Sequence, residues 1–342
     1  MKNAVVLMTA LVPTIGHKAL IEFAADFVNG GFVNVILSSR SFEPEEGIVR
    51  LMSLERSVDR DNVFFHLHSD DNAPQNPVTD EEWDYWKSVC DGFNGGMEHT
   101  HLIASEPYGK KMAEVIGAEF IPFDIERRIF PVKGSDVRMN LHNNFSDIIP
   151  EYQKFLRKRI TTFGQESCGK TTLANTLGHT FDCPVVTEFA RPYLELMDDK
   201  TVTDAKMANI VAGQYAMMNT ADNGSNAIFT FRDTDLLSTI GYYRIYGGNS
   251  EGTNIEELFE YSKADLYLVC PDNIPFEPDP LRYGGAVRES TMQFWIDLLE
   301  EFNCEYVILT ESDKVKRLIE AHRIVTRYYD KWFGPLMDFK RD

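Results

Sequence analysis

The stretch ITTFGQESCGKTTLANTLG, residues 160–178, decides the fold of the half of the chain that contains it. It carries the pattern G-x-x-x-x-G-K-T, in which backbone N–H groups cradle phosphates between a strand and a helix. We therefore expect a nucleoside triphosphate here, with Lys170 at the β- and γ-phosphate oxygens and Thr171 bound to Mg²⁺. The residues expected to contact ATP are Gly164, Ser167, Gly169, Lys170, Thr171 and Thr172.

The position of this loop indicates two domains. Such a loop usually joins the first strand of its own domain to the first helix, yet it begins at residue 164 of 342. A domain typically has about 100–200 residues, so each half is long enough to bury a core of its own. The segment 140–157 is the natural junction, and it has no flexible Gly/Ser composition. We predict one domain over residues 1–150 and a second over residues 151–342.

Both halves alternate apolar strand-length segments with helical segments, which is typical of parallel sheets wrapped by helices. Strands are predicted at 3–10, 32–39, 62–69, 100–105 and 119–124 in the first half, and at 158–164, 183–190, 227–235, 264–271 and 304–310 in the second. Helices are predicted at 16–29, 51–60, 79–90, 108–117, 169–181, 203–221 and 289–303. The predicted fold class is α/β, with two domains of this construction.

Charge and cysteine content narrow the classes of function. The formal net charge of −19 argues against nucleic acid or an anionic membrane as the main partner. The five cysteines are scattered without a C-x-x-C pattern, so we expect neither a disulfide framework nor a zinc site. The apolar start is too short to span a membrane and lacks a signal-peptide cleavage site. These features together predict a cytoplasmic protein.

A second phosphate-binding turn is predicted in the first half. Thr14, Gly16 and His17 follow the first strand and open a helix, whose N-terminal N–H groups and dipole favour a phosphate. Further along, FPVKGSDVR (130–138) offers the Ser135 hydroxyl and the Arg138 guanidinium to a triphosphate. A helix-start polar residue is the alternative interpretation of His17, and a helix N-cap followed by a surface arginine is the alternative for the second segment.

Acidic and basic residues follow the strands of the second half. Glu188 and Arg191 come after one predicted strand, and Asp233 and Asp235 end the next, where a carboxylate that binds Mg²⁺ belongs. The polar, glycine-bearing segment 277–290 is expected to close over the phosphates, and a solvated loop is its alternative interpretation. The arginines that it contributes are Arg282 and Arg288.

The motifs of the first half resemble the nucleotidyltransferase superfamily, and residues 103–138 resemble nicotinamide mononucleotide (NMN) adenylyltransferases of the NadR type. The family's Ile-Ser pair is here Val132-Lys133, its Thr is Ser135, and its Gly-rich opening is Met8-Thr9-Ala10. The resemblance implies a Rossmann-like domain in which the NMN phosphate attacks the α-phosphorus of ATP. The residues that it implies in charge stabilisation, with Mg²⁺, are His17, Lys18 and Arg138. It also implies an aromatic residue against the nicotinamide, for which Trp83 and Trp86 are candidates. Their spacing also fits a helix that buries one face, and we favour that interpretation.

The pattern E-x-x-R, D-T-D and R-x-G-G in the second half resembles the nicotinamide riboside kinase domain of the same NadR-type proteins. This resemblance implies that ATP phosphorylates the ribose 5′-hydroxyl, with Glu188 or Asp233 as the base and Asp235 as a further candidate. Arg191, Asp235 and Arg288 are the other implied substrate contacts, and Arg282 an implied ATP contact. The resemblance covers about residues 3–330, and the tail 328–342 is expected to pack on the second domain. Because the chain starts at the first strand, we expect it to lack the family's helix-turn-helix domain and repressor function.

The implied ligands are ATP, Mg²⁺, nicotinamide riboside, NMN and NAD, without nucleic acid or membrane partners, and a homo-oligomer stays open. Two other functions are weighed: a P-loop kinase of another nucleoside or nucleotide with a degenerate first half, and a non-catalytic sensor of NAD or ATP. The pairs His66/His68 and His99/His101 place two side chains on one strand face, as a metal pair would. We favour ordinary strand-end histidines, because no third ligand of matching spacing is visible.

Overall fold

The structure is a computed structural model that describes residues 2–197, 202–245, 254–274 and 290–340. The chain divides into two compact units, one formed by residues 1–155 together with 331–342, and the other by residues 156–330. The sequence-based division placed the last residues in the second domain, whereas the structure groups them with the first unit. The predicted packing of the tail 328–342 on the second domain is therefore wrong for residues 331–342, while residues 328–330 belong to the second unit.

The first unit contains a parallel sheet whose five described strands follow the order β3-β2-β1-β4-β5. These strands are β1 Asn3–Met8, β2 Phe32–Ser39, β3 Val63–Ser69, β4 His101–Ala104 and β5 Glu119–Pro122. The helices of this part of the chain are α1 Ile15–Val28, α2 Gly47–Ser57, α3 Asp80–Phe93, α4 Tyr108–Ile116, α5 Gly134–Met139 and α6 Pro150–Leu156. The chain order reverses between β1 and β4, and ligands bind at such a switch point in open α/β sheets.

Burial explains why the strands of this unit read as apolar runs rather than as alternating patterns. Five of the six residues of β1 and seven of the eight residues of β2 are buried, because helices cover both faces of the sheet. Strand β3 lies at the edge of the sheet, and for this reason its residues are half-buried or exposed. Thr79 is the N-cap of helix α3: its hydroxyl accepts the backbone N–H of Glu82, and the Glu82 carboxylate accepts the backbone N–H of Thr79, which forms a capping box.

The second unit contains another parallel sheet, with the order β10-β9-β6-β8-β7 over the described residues. Its strands are β6 Lys158–Phe163, β7 Val185–Val186, β8 Phe229–Arg232, β9 Leu266–Val269 and β10 Tyr306–Ile308. Its described helices are α7 Lys170–Thr180, α8 Ala190–Glu195, α9 Asp204–Gly224, α10 Leu236–Ile245, α11 Ile255–Ser262 and α12 Met292–Glu301, and the last described helix of the chain is the long α13 Lys314–Asp338. The central strand β6 leads directly into the loop at residues 164–169.

The two parallel sheets wrapped by helices confirm the predicted fold class. A core of buried side chains from the helices and from β6 and β9 supports the second unit, and Trp295 is its largest member. None of the helices in the described ranges is both long enough and apolar enough to cross a membrane.

Candidate functional sites

A cavity of about 960 Å³ opens in the first unit at the carboxyl ends of β1 and β4. It lies at the switch point of the sheet order, where the fold leaves a crevice for a ligand. The predicted site residues that line it come from three separate segments of the sequence, and they are Thr14, Gly16, His17, Trp83, Trp86, Ser135 and Arg138. The fold thus brings the two predicted phosphate-binding segments of this half into one pocket.

The turn before α1 holds His17 in a defined tautomer. The backbone N–H of Thr14 donates to Nδ1 of His17 at 3.0 Å, and the Thr14 hydroxyl lies 2.8 Å from the same nitrogen. Because a backbone N–H only donates, Nδ1 is an acceptor and the neutral ring carries its proton on Nε2. Burial, with a smaller contribution from the positive charge of Arg127, lowers the pKa of His17 to about 4. At neutral pH, His17 therefore offers the pocket an uncharged N–H donor.

The second segment lies directly against this histidine. A Cβ added to Gly134 would lie 3.3 Å from Cε1 of His17, so the absence of a side chain at residue 134 permits the close approach. Ser135 donates its hydroxyl proton to Asp136 at 3.1 Å. The Nη1 of Arg138 donates to the carbonyl of Leu336 at 3.3 Å and to that of Phe339. The contacts of Arg138 within the described residues thus all use Nη1, which leaves Nε and Nη2 as donors.

The remaining predicted residues of this half have different surroundings. Lys18 does not line the cavity, and its ammonium group lies 3.8 Å from Glu22 on the same helix. Trp86 is buried in the core, and its indole N–H donates to the carbonyl of Pro74 at 2.7 Å. Trp83 is only partly buried and lines the cavity. Both tryptophans line the cavity, and for Trp86 the interpretation as a helix face that packs on the core agrees with its burial and its hydrogen bond.

Three basic residues of this site were not predicted from the sequence. Arg127 and Lys133 line the cavity and add positive charge to it. Arg50 is fully buried and donates to the carbonyl of Thr9 at 2.8 Å, so it fixes the backbone at the opening of the pocket. The pair Arg127-Arg128 stands a few residues before FPVKGSDVR, and this was the signal available for Arg127. Arg50 gave no such signal, because the carbonyl of Thr9 that it contacts lies far from it in the sequence.

The loop after β6 has the geometry that its glycines predict. Gly164 has φ 129° and Gly169 has φ 88°, conformations that glycine adopts without strain. A Cβ at Gly164 would also lie 2.7 Å from the carbonyl oxygen of Cys270. Lys170 is buried, and its ammonium group donates to the loop carbonyls of Gly164 at 2.9 Å and Gln165 at 2.7 Å. The lysine is therefore held at the centre of the loop, beneath the place that the phosphates would take.

A hydroxyl–carboxylate pair lies beside this loop. The Thr171 hydroxyl donates to Oδ2 of Asp233 at 2.7 Å, which joins the start of α7 to the end of β8. Mg²⁺ prefers hard oxygen ligands and keeps several of its waters, so these two oxygens fit its coordination chemistry. Thr172 is exposed on the next position of α7, and the half-buried Ser167 has φ 52° within the loop.

The other two predicted acidic site residues of the second unit, Asp235 and Glu188, have different surroundings. Asp235 is buried, accepting the Tyr267 hydroxyl at 2.6 Å and the backbone N–H of Ser238 at 3.2 Å. Burial raises the pKa of Asp235 despite these hydrogen bonds. Glu188 is half-buried between β7 and α8, and no hydrogen bond or ion pair engages its carboxylate within the described residues. Structural contacts thus occupy Asp235 and leave Glu188 available.

The predicted arginines of this half are only partly described. Arg191 lies in the first turn of α8 and is half-buried. Arg282 and Arg288, with all of the predicted closing segment except its last residue, Ser290, lie outside the described residues.

The histidine pairs have ordinary structural partners. His66 and His68 contact the Asn34 side chain at 2.9 Å and the Tyr85 hydroxyl at 2.7 Å. His99 contacts Asp91 at 2.9 Å. Over the described part of the chain, no group of three or more His, Cys, Asp or Glu side chains is arranged to hold a metal ion. The hydrogen bonds of His66, His68 and His99 agree with the interpretation of strand-end histidines.

Fold and loop together define the class: an α/β protein with a P-loop nucleotide-binding unit and a Rossmann-like unit. The family model described as an AAA domain matches residues 159–317. The proteins named trifunctional NAD biosynthesis/regulator protein NadR, from Salmonella typhimurium strain LT2 and Escherichia coli strain K12, are each 25% identical to the chain over 272 residues. These alignments cover 77% of this chain and only 65% of either relative.

Two crystal structures resemble the chain over its whole length. A NadR protein in complex with NAD and AMP-PNP is 20% identical with a TM-score of 0.62, and a NadR protein in complex with NR is 22% identical with a TM-score of 0.64. Each comparison covers 100% of this chain and 98% of the other. The chain is therefore similar to NadR proteins in sequence and in fold, and the resemblance inferred from its motifs is confirmed.

Proposed function

We propose that the chain makes NAD from nicotinamide riboside in two ATP-dependent steps. The second unit transfers the γ-phosphoryl group of ATP to the riboside and forms NMN, and the first unit transfers the adenylyl group of a second ATP to NMN. The observation that carries the proposal is that each unit has its own phosphate-binding turn, with Thr14–His17 against Gly134 in one and Thr171 bonded to Asp233 in the other. Similarity to NadR proteins over the chain supports this assignment.

In the first unit, an oxygen of the NMN phosphate attacks the α-phosphorus of ATP, and the bond to the leaving pyrophosphate breaks. The Nε2–H of His17 and the Nε and Nη2 donors of Arg138, which no described residue engages, stabilise the negative charge that develops on the phosphate oxygens. Arg127 and Lys133 add positive charge to the same wall of the cavity. His17 acts as a neutral donor rather than as a cation, since its pKa lies at about 4.

In the second unit, the riboside 5′-hydroxyl attacks the γ-phosphorus and ADP leaves. Glu188 accepts the hydroxyl proton, because Asp233 already engages Thr171 whereas Glu188 has no partner within the described residues. The phosphates replace the loop carbonyls as the acceptors of Lys170. Thr171 and Asp233 would hold Mg²⁺, which, when bound, draws negative charge from the phosphate oxygens.

The proposed ligands are ATP, Mg²⁺, nicotinamide riboside, NMN and NAD. All five cysteines are free thiols, which suits the reducing cytoplasm as the proposed location.

The test is to incubate the chain with ATP, Mg²⁺ and nicotinamide riboside and to follow the products by chromatography. We expect ADP, NMN, NAD and pyrophosphate. Accumulation of NMN without NAD would overturn the assignment of the first unit. Tight binding of ATP or NAD without any turnover would support a sensor and contradict both assignments.

Two substitutions separate the two activities. Lys170→Ala removes the phosphate-binding ammonium group and should abolish riboside phosphorylation while NMN is still converted to NAD. His17→Ala removes the Nε2–H donor and should lower adenylyl transfer by about 100-fold, which is typical for one such donor, with phosphorylation intact. The measurement supplies each unit with its own substrate, either the riboside or NMN. Loss of both activities in either variant would contradict the assignment of one reaction to each unit.

A further inference from the structure

The middle of α9 meets the two loops that carry the acidic residues of the second unit. Gln214 is 2% exposed, and its Oε1 accepts the backbone N–H of Phe189 at 2.8 Å. Its Nε2 donates to the carbonyls of Thr187 and Thr234, each at 3.4 Å. A side-chain amide has an acceptor and two donors, so this single group bonds both loops at once.

The neighbouring glycine shapes the same contact. A Cβ added to Gly213 would lie 2.2 Å from Cε1 of Phe189, so this ring lies against bare helix backbone. The Phe189 ring also stacks on Tyr193, with centroids 5.6 Å apart and planes inclined by 21°. Gly213 and Gln214 therefore hold the segment around Phe189 through a ring contact and a hydrogen bond together.

The hydrogen bonds of the sheet hold only a short part of the segment that leads to Glu188. Strand β7 has only two residues, Val185 and Val186, and the backbone N–H of Asp233 bonds the carbonyl of Val186 at 2.9 Å. Glu188 follows two residues after the last bond of this ladder. Its backbone lies between the carbonyl of Thr187 and the N–H of Phe189, both of which bond Gln214.

We infer that Gly213 and Gln214 are positioning residues for phosphoryl transfer, because they set the distance between the Glu188 loop and the Asp233 loop. We call this pair of residues the α9 brace. The inference rests on the proposed kinase function, in which Glu188 takes the proton and Asp233 acts with Thr171. Neither residue of the brace touches the reacting atoms; both act through the backbone on either side of Glu188.

The chemistry of Gln214 suits this role and little else. All hydrogen bonds of the buried Gln214 amide go to loop backbone, so they form only when both loops are in their observed positions. An apolar side chain at residue 214 would leave the backbone N–H and both carbonyls unsatisfied. The P-loop is not among its partners. Loss of the brace should therefore change catalysis without changing how ATP binds.

The test compares Gln214→Met, Gln214→Glu and Gly213→Ala with the wild-type chain in riboside phosphorylation. Methionine keeps the volume of the side chain and loses the hydrogen bonds, glutamate keeps an acceptor for Phe189, and alanine displaces the Phe189 ring. We expect Gln214→Met to lower kcat by about 10- to 100-fold, the size of effect that a small misplacement of reacting groups produces. The Kd for ATP, measured by calorimetry, should stay within about twofold, since the P-loop contacts are retained.

A matched control separates positioning from stability. Met218 is fully buried on the same helix and packs in the core, so Met218→Ala should lower the Tm and leave kcat unchanged well below the Tm. If Gln214→Met does not fold, Gln214→Glu and Gly213→Ala decide the question by the same readouts. Variants that lower only the Tm, or that weaken ATP binding as much as kcat, would overturn the inference.

The outcomes also distinguish this inference from the function on which it rests. A wild-type chain that does not phosphorylate the riboside overturns the proposed kinase function and the brace with it. A wild-type chain that turns over, with brace variants that match its kcat, overturns the brace alone.

Discussion

At the scale of single residues, His17 shows how one backbone hydrogen bond decides the chemistry of a side chain. The N–H of Thr14 requires Nδ1 to be an acceptor, and protonation of that nitrogen would break the bond. The ring is therefore held neutral with Nε2–H as its donor. The motif predicted a phosphate ligand, but it contains no information on charge state, which depends on burial and on Arg127.

The depressed pKa of His17 makes a prediction about acid stability. Between about pH 6.5 and pH 4, the imidazole binds a proton in the unfolded chain and not in the folded one, so the free energy of unfolding falls as the pH is lowered through this range. His17→Gln removes this contribution and should flatten the pH dependence. Urea unfolding at pH 7 and pH 5, followed by tryptophan fluorescence, measures both slopes. Parallel slopes for wild type and variant would contradict the depressed pKa of His17.

Ala10 makes a prediction about local strain. This residue is buried after β1 and has φ 38°, in the left-handed region that costs an L-residue roughly 1–2 kcal/mol. Ala10→Gly removes that strain but gives the unfolded chain about 0.5–1 kcal/mol of extra entropy. We expect a net gain of up to about 1 kcal/mol and a Tm raised by about 2–4 °C. Calorimetry measures the change, and the control Ala4→Gly, within β1, should lower the Tm.

Ala10 and the P-loop glycines also show what the sequence reveals at this scale. Gly164 and Gly169 lie in a motif of fixed spacing, so their positive φ angles follow from the pattern alone. The positive φ of Ala10 could not be predicted in this way, because no motif of fixed spacing contains this residue. The only indication was that the family resembled by the chain has a glycine-rich opening at this turn. Arg50 and Gln214 were missed because the backbone groups that they hold at the two sites, at Thr9 and at Phe189, are distant in sequence, and a local pattern does not specify such contacts.

At the scale of secondary-structure elements, the predictions succeeded where periodicity is strong. Strands β1 and β2 lie within one or two residues of the predicted segments, because long buried apolar runs leave little choice. The segment 183–190 was predicted as a strand, yet only Val185–Val186 forms β7, at the edge of the sheet. Helix α10 was missed because its buried residues include neighbours such as Leu236 and Leu237, which give no helical period.

The end of α13 makes a prediction at this scale. The carbonyls of Leu336 and Phe339 both hold Nη1 of Arg138, and the Phe339 ring lies 6.3 Å from that of Phe42. A chain that ends at Asp338 loses the Phe339 contacts and should convert NMN to NAD more slowly, because Arg138 is no longer oriented. Riboside phosphorylation should not change. A chain that ends at Lys340 is the control, and a faster rate in the shorter chain would instead indicate that the tail inhibits Arg138.

At the scale of the whole molecule, the two units explain why a P-loop lies near the middle of the chain. It follows the first strand of the second unit, β6, and the first unit has a different phosphate-binding turn after its own first strand. The number of units could be predicted because each has a recognisable turn after a buried strand. The assignment of the last residues to the first unit could not be predicted, because the sequence of a terminal helix does not indicate which unit it packs against.

That division has a consequence for the order of events during protein synthesis. Arg138 and Leu336 are 198 positions apart, yet both belong to the first unit. A ribosome adds about 5–20 residues per second, so about 10–40 seconds pass between the two residues. The second unit emerges within that interval. The nascent first unit must therefore wait, with an incomplete surface around Arg138, until its neighbour has been translated in full.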